Sequence, residues 1–339
     1  MDKKIVEQII NKIKEYDTII IHRHIRPDGD AIGTSLGLRD VLRESFPDKK
    51  VYSCGAEIPD YLKFVGEEDV VDDSLYENAL AIVVDTAVSD RVYDDRFNKA
   101  KEIIKIDHHI VIDNYGNINY VLENYGSCSQ IIIEMCYENK EILKMNKSAA
   151  RYLYLAMLTD TGRFKFTVDG NALRMAGFLM DFGIDVEMLY ANLYTKDKDV
   201  FKFTGWVYDN FQVSENGVAY IIITKDIKKE YKISTEDASN TVNLLDSIKG
   251  SMIWLLFNEQ EQEIRVRLRS RFVEVDKIAN NYKGGGHANA AGATVYSFDE
   301  VERLIKDCDS LLKEYKELNK DKFWWTFWLP TTMDITQLG

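Results

Sequence analysis

Four short runs rich in Ile and Val, at residues 18–21, 50–53, 80–84 and 102–106, alternate with helical stretches over the first half of the chain. Short strands alternating with helices predict a parallel sheet with helices on both faces, that is, a doubly wound α/β domain. Ligands of such sheets sit where strand C-termini open into loops, so the residues after each run are the first candidates for chemistry. His22 and His24 follow the first run, Asp85 the third, and Asp107, His108 and His109 the fourth.

From about 129 to 203 the pattern is mainly helical, with helices expected at 171–181 and 185–192 and a connector in its latter part. Strands are then expected at 217–224, 252–258 and 263–270, a helix near 275–281 and a last helix at 298–315, the texture of a smaller α+β domain. The 339 residues fit two domains at roughly 150 residues each. The expected boundaries are 1–185 for the sheet domain, 186–210 for the helical connector, 211–316 for the α+β domain and 317–339 for a tail. Phe323, Trp324, Trp325, Phe327 and Trp328 make that tail aromatic. It reads as a contact for a partner or membrane surface, or as packing against the body, and no chemistry is assigned to it.

With 43 basic against 56 acidic side chains, the net charge of −13 argues against binding long duplex DNA, which relies on neutralising many phosphates. A compact phosphate ligand met by a local basic cluster remains open. Cys54, Cys128, Cys136 and Cys308 lie far apart with no C-x-x-C spacing, which fits a reducing, cytoplasmic compartment rather than a zinc or disulfide framework. Residues 1–16 read as a charged amphipathic helix with Ile5, Ile9, Ile10 and Ile13 on one face, unlike a signal peptide, and no run is apolar enough to span a membrane.

All five histidines fall in three places: His22 and His24, His108 and His109, and His287. In His24-Ile-Arg-Pro-Asp28-Gly-Asp30 an imidazole and two carboxylates share one strand-to-helix loop, with Gly29 and Pro27 shaping the turn. Taken alone, Asp30 before an apolar run is equally a helix cap, and Asp85 or Asp160 a turn or cap residue. Three metal-type clusters at successive strand ends, with Asp160 after a helix at 148–157, form a constellation that caps do not explain. His24, Asp28, Asp30, Asp85, His108 and Asp160 suffice for two divalent ions sharing a carboxylate. The mixed nitrogen and oxygen donors suit manganese, with magnesium or cobalt as alternatives, better than thiolate-bound zinc. Such a pair activates water for attack on phosphorus, so the reaction class is phosphoester hydrolysis. Further on, Arg265, Arg267, Arg269 and Arg271 alternate on an expected strand, which puts all four on one face.

The ordered set His24-Ile-Arg-Pro-Asp28-Gly-Asp30, Asp85-Thr, Asp107-His108-His109, Asp160 and Gly284-Gly285-Gly286-His287-Ala-Asn-Ala-Ala-Gly292 resembles the DHH/DHHA1 phosphoesterases over nearly the whole chain to about residue 316. The resemblance implies a DHH domain joined by a helical connector to a DHHA1 domain, with the active site in the cleft between them. It places His24, Asp28 and Asp85 on one ion and Asp30, Asp85, His108 and Asp160 on the other. His109 is implied as a phosphate contact or proton donor, Asp107 as a ligand or orienting group, and His22 lies outside the pattern. Arg269, Ser270, Gly284, Gly285, Gly286 and His287 are implied as the substrate grip. Ala288 stands where family members commonly carry a basic residue.

The length is similar to that of the stand-alone nano-RNase group, which implies hydrolysis of single-stranded RNA of about two to five nucleotides to nucleoside 5'-monophosphates, and of 3'-phosphoadenosine 5'-phosphate (pAp) to AMP. The alternative is a pApA or cyclic di-AMP phosphodiesterase, and a homodimer is a family-level expectation. A nucleotide-sensing module without chemistry would be marked by a missing ligand, whereas every candidate ligand is present.

Overall fold

A computed structural model describes residues 1–55 and 58–320, so the aromatic tail from Phe323 to Trp328 lies outside the described residues. The chain divides into two compact units, Met1–Thr195 and Lys196–Gly339.

In the first unit, helix α1 (Lys3–Glu15) precedes strand β1 (Thr18–His22), α2 (Gly29–Ser45), β2 (Lys50–Ser53), β3 (Leu80–Val84), β4 (Glu102–Asp107) and β5 (Ile118–Val121). Helices α3 (Cys128–Glu138), α4 (Lys147–Asp160), α5 (Gly170–Met180) and α6 (Val186–Tyr194) follow. The sheet runs β2-β1-β3-β4-β5 with every pairing parallel. Alternation along the strands sorts its faces: Ile19, Ile21, Ile82 and Val84 join the main core with α1 to α5. Ile20, Ala81 and Val83 point the other way, into two smaller clusters with Tyr76 and Phe97. That second face is covered by 3-10 turns at Asp73–Asn78 and Asp95–Lys99, not by α-helices. The connections into β3 and β4 are broken by short polar runs that cap single turns, with Asp72 and Asp94 accepting from the backbone two residues on.

One helix contact positions the site. Gly29, Gly33 and Gly37 recur at four-residue intervals along α2 and lie against α4, where an added Cβ would stand 2.3 Å from Thr159 Oγ1, 2.5 Å from Tyr152 O and 2.6 Å from Leu153 Cγ respectively. Without side chains there, the two helices close up, and the N-terminus of α2 with Asp28 and Asp30 meets the C-terminus of α4 with Asp160. Gly33→Val, which meets a backbone carbonyl that cannot move aside, is expected to destabilise the unit by about 3 kcal/mol, read as a lowered thermal midpoint. A midpoint unchanged from wild type would show that the helices have room to part.

The second unit begins at α7 (Lys198–Asn210), so the expected connector is shared: α6 packs Leu189 into the first core, and α7 packs Val200, Phe203 and Val207 into the second unit. After it come β6 (Gln212–Val213), β7 (Val218–Ile223), α8 (Lys225–Tyr231), α9 (Thr235–Asn240), β8 (Ile253–Glu259), β9 (Ile264–Ser270), α10 (Asp276–Asn281), β10 (Gly285–His287), β11 (Ala290–Val295) and α11 (Phe298–Leu318). The sheet order is β10-β11-β9-β8-β7-β6, with only β7 and β8 parallel. On one face Leu255, Phe257, Val266 and Leu268 pack with Val301, Leu304, Cys308 and Leu312, the apolar stripe of α11. On the other, Ala219, Ile221, Trp254 and Leu256 pack with α7 and α9.

Candidate metal centre

Each candidate ligand of the first unit stands at a strand or helix end, and the fold brings them to one place. Nitrogen and oxygen atoms of His24, Asp28 and Asp85 lie within 4.8 Å of one another, as do those of Asp30, His108 and Asp160 and those of Asp85, His108 and His109. Asp85 joins the groups: its Oδ2 is 3.5 Å from His24 Nε2 and its Oδ1 3.4 Å from His108 Nε2. It sits at φ 51°, a left-handed conformation that aspartate tolerates better than most residues and that turns its carboxylate off the strand axis.

Both imidazoles are aimed by the backbone. His24 Nδ1 is 2.7 Å from Ile25 O and His108 Nδ1 is 3.1 Å from Tyr125 O, so each Nδ1 carries the proton and Nε2 faces the acids. His24 is braced from behind by Arg23, whose Nη1 donates to His24 O at 3.1 Å while its Nε donates to buried Glu68 at 2.8 Å. His108 Nε2 lies 3.4 Å from Asp160 Oδ2 and 3.8 Å from Asp30 Oδ2.

The two acids of the first loop differ in role. The N-cap of α2 is Asp28, which accepts from the amides of Asp30 and Ala31 while lying 3.9 Å from His24 Nε2. Asp30, expected as a cap or ligand, is buried in the first helical turn, where it accepts from Thr34 Oγ1 and from the amides of Cys128 and Ser129. Those amides open α3, so a helix N-terminus holds this carboxylate. Asp160, expected after its helix, is the last residue of α4.

His109 sits at the cluster edge, its Nδ1 3.6 Å from Asp85 Oδ1 and 2.8 Å from Asp107 Oδ1, which also accepts from the amides of His108 and His109. His22 is fully buried on the other sheet face between the rings of Tyr76 and Phe97, where burial pulls its pKa down to about 4, and it takes no part in the cluster. Lys105, buried within the run Ile103-Ile-Lys-Ile106, is a charged residue of this region absent from the sequence expectations, although a lysine inside an apolar strand is a visible anomaly.

The charges crowd one another. Burial, and then the charge of Asp85, raises Asp30 to about 7, and burial with Asp30 nearby raises Asp160 well above the usual carboxylate range. Burial opposes ionisation of Asp85, but His108 and His24, with Nε2 atoms 3.4 and 3.5 Å away, outweigh it and hold this acid low. Burial likewise opposes a charged His24, yet Asp85 and then Asp28 bring it to about 9. Acids crowded so that burial and mutual repulsion push two of them upward would be relieved by a divalent cation. Buried Asp85 Oδ1 has no hydrogen-bond partner, and the donors are oxygen and imidazole only, because Cys128 Sγ donates to Ile106 O. The residues therefore fit divalent ions.

In the second unit the strand register puts Arg265, Arg267 and Arg269 on the face shared with Trp254 and Leu256, opposite Thr294, Gly292 and Ala290 of β11. His287 pairs with Ala290 and joins that face. Burial, then the neighbouring Arg267, lowers Arg269 to about 10, and its Nη1 donates to Leu268 O at 2.9 Å and Ala291 O at 3.3 Å. Arg265 is paired with Glu263 at 2.6 Å. Arg271 does not extend the ladder: past the end of β9 it donates to Asp246 O and lies over the ring of Trp254. Ser270 is buried, its hydroxyl donating to Val273 O and accepting from Asn289, so it closes a turn. The glycine segment implied as part of the substrate grip includes strand β10, and its glycines answer to that packing. A Cβ on Gly284 would stand 1.9 Å from Gly292 O, and Gly286, at φ 145°, would meet Ala290 O at 2.6 Å.

Among the described residues no helix is long and apolar enough to cross a membrane. Residues 18–157 match the model of the DHH family, N-terminal domain, and residues 215–314 that of the DHHA1 domain. The chain is 39% identical to the bifunctional oligoribonuclease and PAP phosphatase NrnA of Bacillus subtilis, over 91% of this chain and 99% of that protein. It is 34% identical to the protein of the same description from Mycoplasma genitalium, over 91% and 98%. The cyclic-di-AMP phosphodiesterase PdeA of Listeria monocytogenes matches at 22% over 91% of this chain and 50% of its own length. Among solved structures, an exopolyphosphatase-related protein from Bacteroides fragilis superposes with a TM-score of 0.83 at 27% identity, covering 94% of this chain and 98% of that one.

Proposed function

The chain belongs to the DHH/DHHA1 phosphoesterases, and from that premise we propose that it hydrolyses very short single-stranded oligoribonucleotides to nucleoside 5'-monophosphates and converts pAp to AMP. The observation that carries the reading is the convergence of His24, Asp28, Asp30, Asp85, His108 and Asp160 around one shared carboxylate. In this reading His24, Asp28 and Asp85 hold one divalent ion, Asp30, Asp85, His108 and Asp160 a second, and manganese suits the donor set. Bound there, such ions lower the pKa of water and stabilise the charge that develops on the phosphoryl group.

The chain's own side chains supply the rest. Ile25 O and Tyr125 O fix the two imidazoles so that neither must reorient when substrate arrives. His109, with Nδ1 committed to Asp107, donates a proton to the leaving oxygen through its other ring nitrogen. Arg267, Arg269 and His287 form the anion grip of the second unit, and the small residues Ala290 and Gly292 beside them leave the guanidiniums room to reach a phosphate.

Hydrolysis with manganese of 5'-phosphorylated RNA of about two, three, five and twenty-four nucleotides, with pAp, pApA and cyclic di-AMP alongside, tests this. The two- and three-nucleotide RNAs and pAp are expected to turn over fastest; equal turnover of the longest and shortest RNAs would overturn the reading. The Listeria relative gives the second reading its support, and dominance of cyclic di-AMP would move the enzyme into second-messenger turnover. Arg269→Ala is expected to raise KM for the dinucleotide about tenfold with a smaller change in kcat, since it removes a charged contact made before and during reaction alike. An unchanged KM would take Arg269 out of the grip.

A further inference from the structure

We propose that Lys105 is a positioning residue for the hydrolysis: its ammonium, buried under the metal centre, ties the loop after Asp85 to the loop after His109 and sets the Asp107 carboxylate that holds His109. This inference rests on the phosphoesterase reading above.

A lysine in mid-strand, at 0% exposure, needs a reason, because a buried ammonium is unfavourable unless its protons are matched. Lys105 lies on the face of β4 shared with Val83, on the side of the sheet covered by Phe97 and Tyr115. Its Nζ donates to Ala87 O at 2.8 Å and to Asp113 O at 2.9 Å, and lies 5.1 Å from the centre of the Tyr115 ring. Ala87 is two residues past Asp85, and Asp113 four past His109, so one ammonium spans the two loops that carry the shared carboxylate and the paired histidines. Tyr115 adds to the tie by donating to Thr86 O at 2.8 Å. Beyond the ammonium, Asp113 Oδ2 accepts from Ser89 N and Oγ, and Val111 N donates to Glu123, so the loop after His109 is held at several points.

The remaining neighbour of Lys105 is Asp107 Oδ2, at 3.4 Å. That oxygen is buried with no hydrogen bond of its own, whereas Oδ1 takes three N–H contacts from His108 and His109. The N–H groups hold Oδ1, and the lysine charge adds an inward attraction on Oδ2, so the carboxylate is gripped at both oxygens. So gripped, Oδ2 stays inward and Oδ1 stays on the histidines. Lys105 touches no reacting group; it acts through Asp107 and His109.

Lys105→Met keeps most of the stem volume and removes the charge. In the full-length protein saturated with manganese, kcat on a 5'-phosphorylated RNA dinucleotide is expected to fall about 10–100-fold with KM nearly unchanged. Asp107→Asn should lose a similar amount, and the double variant no more than the worse single one, because both act on the same contact. Amide hydrogen exchange of the metal-free protein reads the same link without turnover. His108 and His109 amides, bonded to Asp107, should lose protection in Lys105→Met while the amides paired within β3 and β4 keep theirs. Wild-type kcat in Lys105→Met, losses that multiply in the double variant, or protection unchanged at His108 and His109 would each overturn the proposal. Lys105→Gln repeats the test should the methionine variant fail to fold, and collapse with both would overturn it too, since Lys105 would then serve the core alone. A wild-type enzyme that hydrolyses nothing, with the exchange result as expected, would overturn the phosphoesterase reading and leave the positioning link standing.

Discussion

Asp85→Asn is expected to lower turnover of the RNA dinucleotide and of pAp by about 10³-fold or more while the fold survives. The carboxylate stands 3.5 Å from His24 Nε2 and 3.4 Å from His108 Nε2, so in the proposed assignment it serves both ions, whereas every other acid serves one. An amide of the same shape keeps one neutral oxygen and puts an NH₂ where the proposed assignment needs a second anionic oxygen, which weakens both proposed sites at once. Asparagine is the informative choice because Asp85 sits at φ 51°, a conformation that Asn tolerates as well as Asp. Alanine would add backbone strain to the chemical loss and blur the result. His108→Ala, which leaves Asp30 and Asp160 facing each other without their imidazole, is the companion variant. Single-turnover rates at saturating manganese, with thermal midpoints measured beside them, make the check. An Asp85→Asn rate within tenfold of wild type would mean that no shared carboxylate is needed and would sink the assignment of the centre.

The strands that carry these ligands were legible because parallel strands buried on both faces need continuous apolar runs, and runs at 18–21, 80–84 and 102–106 appear as β1, β3 and β4 within a residue of their expected ends. β5 was not, because Ile118-Asn-Tyr-Val121 is a short alternation among Asn and Gly. β10 and the first part of β11 were hidden for a related reason: Gly-Gly-His and Ala-Ala-Gly-Ala lack strand-forming side chains, which begin only at Thr294 and Val295, and pair because the backbones can approach. Which of Asp28 and Asp30 caps α2 depends on where the helix begins, a matter of one or two residues that periodicity does not resolve. The direction of each histidine was out of reach altogether. It depends on Ile25 O and Tyr125 O, and a carbonyl carries no sequence signature.

Removing divalent ions should stop turnover and also invert how stability depends on pH. In the metal-free protein His24, at about 9, binds its proton more tightly than the unfolded chain, whose ordinary value is 6.5. Its pairing with Asp85 is therefore fully present below about 6.5 and lost as pH rises through 9. Asp30, raised to about 7 from 3.8, acts with the same sign at lower pH: the folded form holds a proton that the unfolded chain has released, and ionising it beside Asp85 destabilises the fold. Asp85 has the opposite sign, being held low, but its contribution is lost only below the ordinary carboxylate range of 3.8. Between pH 5 and 9 the metal-free protein should thus lose stability, by about 3 kcal/mol through His24 alone, with Asp30 adding to it. A divalent ion competes with those same protons for Nε2 of His24 and the oxygens of Asp30, so its affinity rises over the range where the metal-free fold weakens. At a hundredfold excess over its dissociation constant it contributes about 2.7 kcal/mol, or about 5–10 °C in thermal midpoint for a unit of this size. Melting curves from pH 5 to 9 with a chelator, and again with manganese, magnesium or cobalt, should diverge as pH rises, with the ion that gives the widest gap also giving the fastest hydrolysis. Curves that coincide at every pH would mean that the acids and histidines satisfy one another, and the convergence around Asp85 would then be an ion-pair network of the fold.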